Sequence, residues 1–189
     1  AADATVTETH ILQPTDSGLL VDGVRVLVRL LTEARRQLGG DLIVFHNHRR
    51  VAKRRHRAIS SARGCERRAE LYVDLVMSVH KSLGYLEGAR SVVVRCSAQW
   101  AMAWICKADH YRGLIERVVD QVRRRVFDGE TVPASEKVVS LFEPHTDIII
   151  KGGREVEYGH KVTLSTGKSG LVLDAVIETG NPPDTTCFL

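Results

Sequence analysis

Aromatic residues are scarce. Phe, Trp and Tyr make up 5% of the chain, which argues against a stacking platform for RNA bases. Long apolar runs are missing too: none approaches the roughly 20 residues that span a bilayer, so no membrane segment is expected. The four cysteines, Cys65, Cys96, Cys106 and Cys187, form no C-x-x-C pair. Without a secretory leader they read as reduced, cytosolic thiols rather than a zinc or disulfide framework. No Gly-rich phosphate loop is present: Gly152-Gly153 and Gly167-x-x-Gly170 fall in turns, where glycine serves backbone geometry. A Gly-x-Ser-x-Gly elbow, internal repeats and low-complexity tracts are also absent. The chain opens Ala1-Ala2-Asp3 and closes Thr185-Thr186-Cys187-Phe188-Leu189. With no initiator methionine at the front and no tail character at the end, it is expected to be a segment cut from a longer protein.

What remains is an ordinary globular composition. The 189 residues are 43% hydrophobic and 26% charged, enough to bury a core in one domain with room for a large insertion. Lys and Arg number 27 against 23 acids, a net +4, so the distribution of charge says more than its sum.

Residues 2–12 read as a strand, with Thr5, Val6, Thr7, Thr9 and Ile11 favouring β structure. Gln13-Pro14-Thr15-Asp16-Ser17 is a turn, with Asp16 the expected N-cap of the helix that follows. Leu19, Leu20, Val24, Leu27, Leu30 and Leu31 recur at helical spacing to about Leu38, where Gly39-Gly40 stops the run. Further helices are expected over 42–63, 66–86 and 97–127. The period then changes to two: Val156, Tyr158, His160, Val162 and Leu164 alternate with Glu155, Glu157, Lys161 and Thr163. A turn at 166–170 and a return strand over 171–179 complete a hairpin.

One stretch concentrates charge. From Arg49 to Arg68 nine cations meet a single acid, Glu66, a local field suited to phosphate. Arg49, Arg50, Lys53, Arg54, Arg55 and Arg57 are the candidate contacts. Such contacts would position the chain on a nucleic acid without reading its sequence; the plainer alternative is a solvated helix face. Arg123-Arg124-Arg125 adds positive charge at a helix end, where cations are favoured anyway. His46-Asn47-His48 is only a tripeptide, whereas the HNH nuclease motif is spread over a ββα unit, so no metal site is read from it. Composition does not rank the candidate acids Asp3, Glu8, Asp16, Asp22, Asp174 and Asp184.

A series of short motifs along the chain says more. Asp3-Ala-Thr-Val-Thr-Glu-Thr-His-Ile and Gln13-Pro-Thr-Asp-Ser-Gly-Leu-Leu20, continued by Asp22-Gly-Val-Arg-Val-Leu27, form one block. Glu136-Lys-Val-Val-Ser-Leu-Phe-Glu-Pro-His-Thr-Asp147 and Tyr158-Gly-His-Lys-Val162 follow. Gly170-Leu-Val-Leu-Asp174 and Gly180-Asn-Pro-Pro-Asp184 close the series. In this order, and across nearly the whole chain, they resemble the DDE-type transposases of bacterial insertion sequences.

The resemblance implies an incomplete RNase-H-like fold of mixed α/β class. Residues 1–16 would hold its first strand, 17–132 a mainly helical insertion carrying the basic helix, and 133–189 the β-hairpin that continues the core. Residues 2–11 should then pair in one sheet with strands from 155–179. It also implies DNA cleavage and strand transfer by in-line attack on phosphorus, which uses two divalent ions about 4 Å apart. Mg²⁺ or Mn²⁺ held by carboxylates would serve. Asp3 matches the first of the three acids, as catalytic residue and metal ligand. The second Asp and the Glu are expected beyond Leu189, so the segment alone should be inactive. Asp174 and Asp184 match positions in the hairpin and its exit and take no catalytic role. Ala4 stands where Ser or Thr is common; the neighbour of Asp3 faces the opposite side of the strand. Implied partners are transposon-end and target DNA, with a homodimer on DNA as the assembly to look for, in the bacterial cytoplasm at the nucleoid. The alternative is a non-catalytic nucleic-acid-binding helical module using 49–68, or the remnant of a decayed element.

Overall fold

The computed structural model describes residues 2–11, 13–150 and 156–183. The Gly152-Gly153 turn, Glu155, Asp184 and Cys187 lie outside the described residues. The architecture is mixed α/β: β1 (Ala2–Glu8), α1 (Asp16–Leu38), α2 (Arg49–Ser61), α3 (Cys65–Val93), α4 (Gln99–Val122), then β2 (Asp147–Ile150), β3 (Val156–Thr166) and β4 (Val172–Ile177). A π-helical turn, Arg123–Phe127, extends α4, and a short 3₁₀ turn, Ala134–Glu136, precedes the second sheet segment. The chain divides into two compact units, Ala1–Pro14 with Pro133–Leu189, and Thr15–Val132. Among the described residues no helix is long and apolar enough to cross a membrane.

In the helical unit α1 packs against α2, α3 and α4. Its core positions Leu20, Val24, Leu27, Leu30 and Leu31 are almost wholly buried, on the face that the helical spacing marks out. Trp104 of α4 is buried, and its indole N–H donates to the Leu30 carbonyl at 3.0 Å. Gly23 permits the close approach of α4: a Cβ there would stand 3.3 Å from Ile115 Cγ1.

The helix ends correct three expectations. Thr15, not Asp16, caps α1; its Oγ1 accepts from the Gly18 N–H at 3.1 Å. Asp16 sits in the first turn and is buried, bonded to the far end of the same unit: its carboxylate accepts from Gln121 Nε2 at 2.9 Å and from Arg125 at 2.8 and 2.9 Å. Helix α2 begins at Arg49 rather than 42, because the Asn47 side chain accepts from the Arg49 N–H at 3.0 Å. That local bond offers the backbone an alternative to an earlier helical turn. Helix α3 runs on to Val93, well past 86. Gly84 and Gly88 lie inside it, with open space where a Cβ would go, and the ion pairs Arg90–Asp109 and Arg112–Glu87 link the stretch to α4.

The other unit is built on β3. Strand β1 runs antiparallel along one edge of β3, from Ala2 opposite Ser165 to Glu8 opposite Gly159. Strands β2 and β4, both antiparallel, share the other edge: β2 lies opposite 156–159 and β4 opposite 162–166, with a bulge at Ser165/Thr166. The expected pairing of the first strand with the hairpin is therefore present. Gly159 is paired on both sides, to Glu8 and to Asp147, and a Cβ on it would fall 2.1 Å from the Thr7 carbonyl oxygen. Only glycine lets β1 come this near.

Alternation along β3 holds, but the apolar face is not the buried one. Gly159, Lys161 and Thr163 are buried, whereas Val156 is exposed and Val162 and Leu164 are half-buried. The buried polar groups are satisfied: Lys161 Nζ donates to the Pro182 carbonyl, and Thr163 Oγ1 bonds Glu178 Oε1 at 3.1 Å. A buried cation of this kind persists only when it is hydrogen-bonded.

Candidate nucleic-acid interface and the first-strand carboxylate

Arg, Lys and Ala are strong helix formers, and α2 is made largely of them. Its apolar contribution is small: Ala52 and Ile59, two turns apart, are its buried residues, and it packs on α1 and α3. The remaining face is cationic. Arg49, Arg50, Lys53, Arg54 and Arg57 are exposed and make no side-chain ion pair among the described residues. Arg55 differs. It turns toward α3 and pairs with Asp74 at 2.8 Å, with its Nε buried and unbonded. Five of the six expected cations are therefore open to a ligand, while Arg55 ties the helix down.

Between α1 and α2 lies a cleft of about 750 Å³. From α1 it is lined by Val21, Asp22 and Arg25, and from α2 and the turn before it by Asn47, Arg49, Arg50, Lys53 and His56. Arg25 reaches Asp22 at 3.2 Å. Burial pushes the Asp22 carboxyl above the usual carboxylate range, against the opposing pull of Arg25 and His56. His56 is held from the side by Ser17, whose hydroxyl lies 2.9 Å from Nδ1. Chemically the cleft is rich in donors and permanent positive charge, with a single carboxylate.

Sequence reasoning found the α2 side of this cleft and missed Asp22, Arg25 and His56. The periodicity of α1 carried a usable signal. Asp22 and Arg25 fall on a stripe outside its leucine and valine face, but nothing local says that the stripe borders α2.

Asp3 lies on β1 opposite Leu164, exposed, and its Oδ1 accepts from the neighbouring Ala4 N–H at 2.9 Å. Ala175 of β4 pairs with the same Leu164, so Asp174 stands one step along and faces the other side of the sheet. Asp174 of the hairpin is thus not set beside Asp3. Among the described residues no group of three or more His, Cys, Asp or Glu is set to hold a metal ion. One carboxylate does not fit a divalent pair.

The other blocks of the resemblance converge further along the sheet. Asp147 Oδ2 accepts from the Gly180 N–H at 3.0 Å and lies 3.9 Å from His160 Nδ1. His145 stacks flat on His160 with centroids 5.2 Å apart, and Thr146 Oγ1 donates to Thr9 Oγ1 at 3.1 Å. These contacts join four separated stretches of chain around one end of β3. Near α2, His46 packs edge-on against His48, which stacks on Tyr85; burial lowers the His48 pKa, and His46 and Lys81 add to the effect. The cysteines described, Cys65, Cys96 and Cys106, are free. Comparison with protein-family models, with curated proteins and with solved structures finds no match.

Proposed function

We propose that this chain is part of a DDE-type transposase. Its sheet would be the beginning of an RNase-H-like catalytic core, and its helical unit an insertion that meets DNA. The observation that carries the reading is the pairing of β1, which holds Asp3, with β3 across the whole helical unit. That is the arrangement expected if β1 is the first core strand and β3 and β4 are the hairpin after the insertion. The chemistry of α2 supports the second half of the reading. Its open cations would grip the DNA backbone without reading bases. Asp3 would supply one of the carboxylates for Mg²⁺ or Mn²⁺, with the remaining acids on chain outside these residues.

Two measurements test this. Replacing Arg50, Arg54 and Arg57 together with Glu should weaken binding to duplex DNA and flatten its dependence on salt; unchanged affinity would reduce α2 to a solvated face. In a longer transposase polypeptide carrying this segment, Asp3→Asn should abolish strand cleavage and leave DNA binding nearly intact, because Asn keeps the shape and loses the charge. Wild-type cleavage by that variant would remove β1 from the active site. A non-catalytic nucleic-acid-binding module is the second reading, favoured by the fact that the cations lie in a compact helical unit of their own.

A further inference from the structure

The cleft between α1 and α2 has a composition unlike a base pocket. Among the described residues that line it, the His56 ring is the one aromatic group and Val21 the one aliphatic side chain. A nucleobase would find little to stack on. Phosphate would find Arg25 on one wall and Arg49, Arg50 and Lys53 on the other. Arg49, Arg50 and Lys53 are without ion pairs among the described residues, and one of the contacts that hold Arg25 is its pair with Asp22, which phosphate can replace. The Arg25–Asp22 pair is half-exposed on both sides, and such a pair contributes little in water. A guanidinium, by contrast, matches phosphate with two parallel hydrogen bonds.

We propose that this cleft seats consecutive phosphates of one nucleic-acid strand, gripped from α1 by Arg25 and from α2 by Arg49, Arg50 and Lys53, and that Asp22 is the internal anion the strand displaces from Arg25. The inference rests on the reading of α2 as a DNA-binding helix and adds to it a second wall and a competitor. A flat basic helix needs neither Arg25 nor Asp22. The two ideas therefore separate on α1, where the net charge of the basic run plays no part.

The test uses the whole 189-residue chain and a short labelled DNA duplex, with fluorescence anisotropy read across a range of salt concentrations. Arg25→Gln should weaken binding and lower the slope of log affinity against log salt by about 1, the loss of one phosphate contact. Arg117→Gln, an equal change of charge at an exposed α4 position outside the cleft, should leave the slope unchanged. Asp22→Asn should tighten binding by roughly two- to fivefold, the worth of an exposed ion pair. Equal losses for Arg25→Gln and Arg117→Gln would overturn the cleft and leave the basic helix standing, as would weaker binding by Asp22→Asn. Failure of the wild-type chain to bind DNA at low salt would sink both ideas. A parallel arm uses tripolyphosphate. If it binds with the same dependence on Arg25 while DNA does not compete, the seat belongs to a free polyphosphate and the assignment to a strand is overturned.

Discussion

Asp16 offers the sharpest single test of the helical unit. Had it been the N-cap of α1, Asp16→Asn would be nearly silent, since Asn and Asp cap equally well. The structure requires the opposite. The side chain of Asp16 is 9% exposed and takes two contacts from Arg125 and one from Gln121. Hydrogen bonds to a charged group contribute about 1.5–3 kcal/mol each, and breaking a fully buried pair costs about 3–5 kcal/mol. Arg125, however, is 41% exposed and regains water when its partner is lost, which pulls the figure down. The expected cost of Asp16→Asn is about 2 kcal/mol, a fall in melting temperature of roughly 4–8 °C for a chain of this size. Urea titration of the single variants and of the double variant with Arg125→Gln measures the coupling directly. A cost below about 0.5 kcal/mol, or no coupling in the cycle, would refute the role given to Asp16. Thr15→Ala is the companion measurement: as the true cap it should cost about 1 kcal/mol.

Other outcomes follow from the same packing. Trp104→Phe removes a buried donor from the Leu30 carbonyl and some volume, and denaturant titration should show a loss of about 2–3 kcal/mol. Gly159→Ala drives a Cβ into the Thr7 carbonyl, so hydrogen exchange should report lost protection in β1 while α1 keeps its own. Gly84→Ala meets open space and should stabilise α3 by about 0.5–1 kcal/mol; destabilisation there would contradict the described path of α3. His48 should titrate below the ordinary histidine range by NMR. The fold favours its neutral form, so its contribution is present above the unfolded-state pKa and is lost as pH falls through the lower folded-state value.

The long elements were legible where one physical signal dominated. The leucine and valine spacing of α1 marked its course, and the Gly39 stop, a residue at φ 95°, marked its C-terminal end; the cap at the other end fell one residue earlier than expected, on Thr15. The β-favouring residues of 2–12 and the period of two over 155–164 marked β1 and β3 as strands, and the resemblance put them in one sheet. What escaped the sequence depended on side chains reaching across space. Asn47 delays α2 through a bond to the backbone. Asp16 looks like a cap until Arg125, far along the chain, is seen beside it. The buried face of β3 carries Lys161 and Thr163 because Pro182 and Glu178 satisfy them, and hydrophobicity alone selects the other face. Half of the cleft was readable as a charge run; Arg25 and Asp22 acquire meaning only once α1 and α2 lie side by side. The resemblance to DDE transposases marked Asp3, and the sheet gives that residue a place on β1 without gathering partners for it.

The pairing of β1 with β3 has a consequence for how the chain is made. Thr9 bonds the carbonyl of Tyr158, 149 positions away. At a synthesis rate of about 5–20 residues per second, β1 leaves the ribosome roughly 7–30 s before its partner strand exists. Helix formation takes microseconds, so the intervening helical unit can fold while β1 still hangs unpaired, an open strand edge available to other nascent chains. Its composition suits that interval. Thr5 and Thr7 alternate with Ala4 and Val6, and Asp3 and Glu8 put charge near both ends, a sequence poor in the apolar β-formers that drive aggregation.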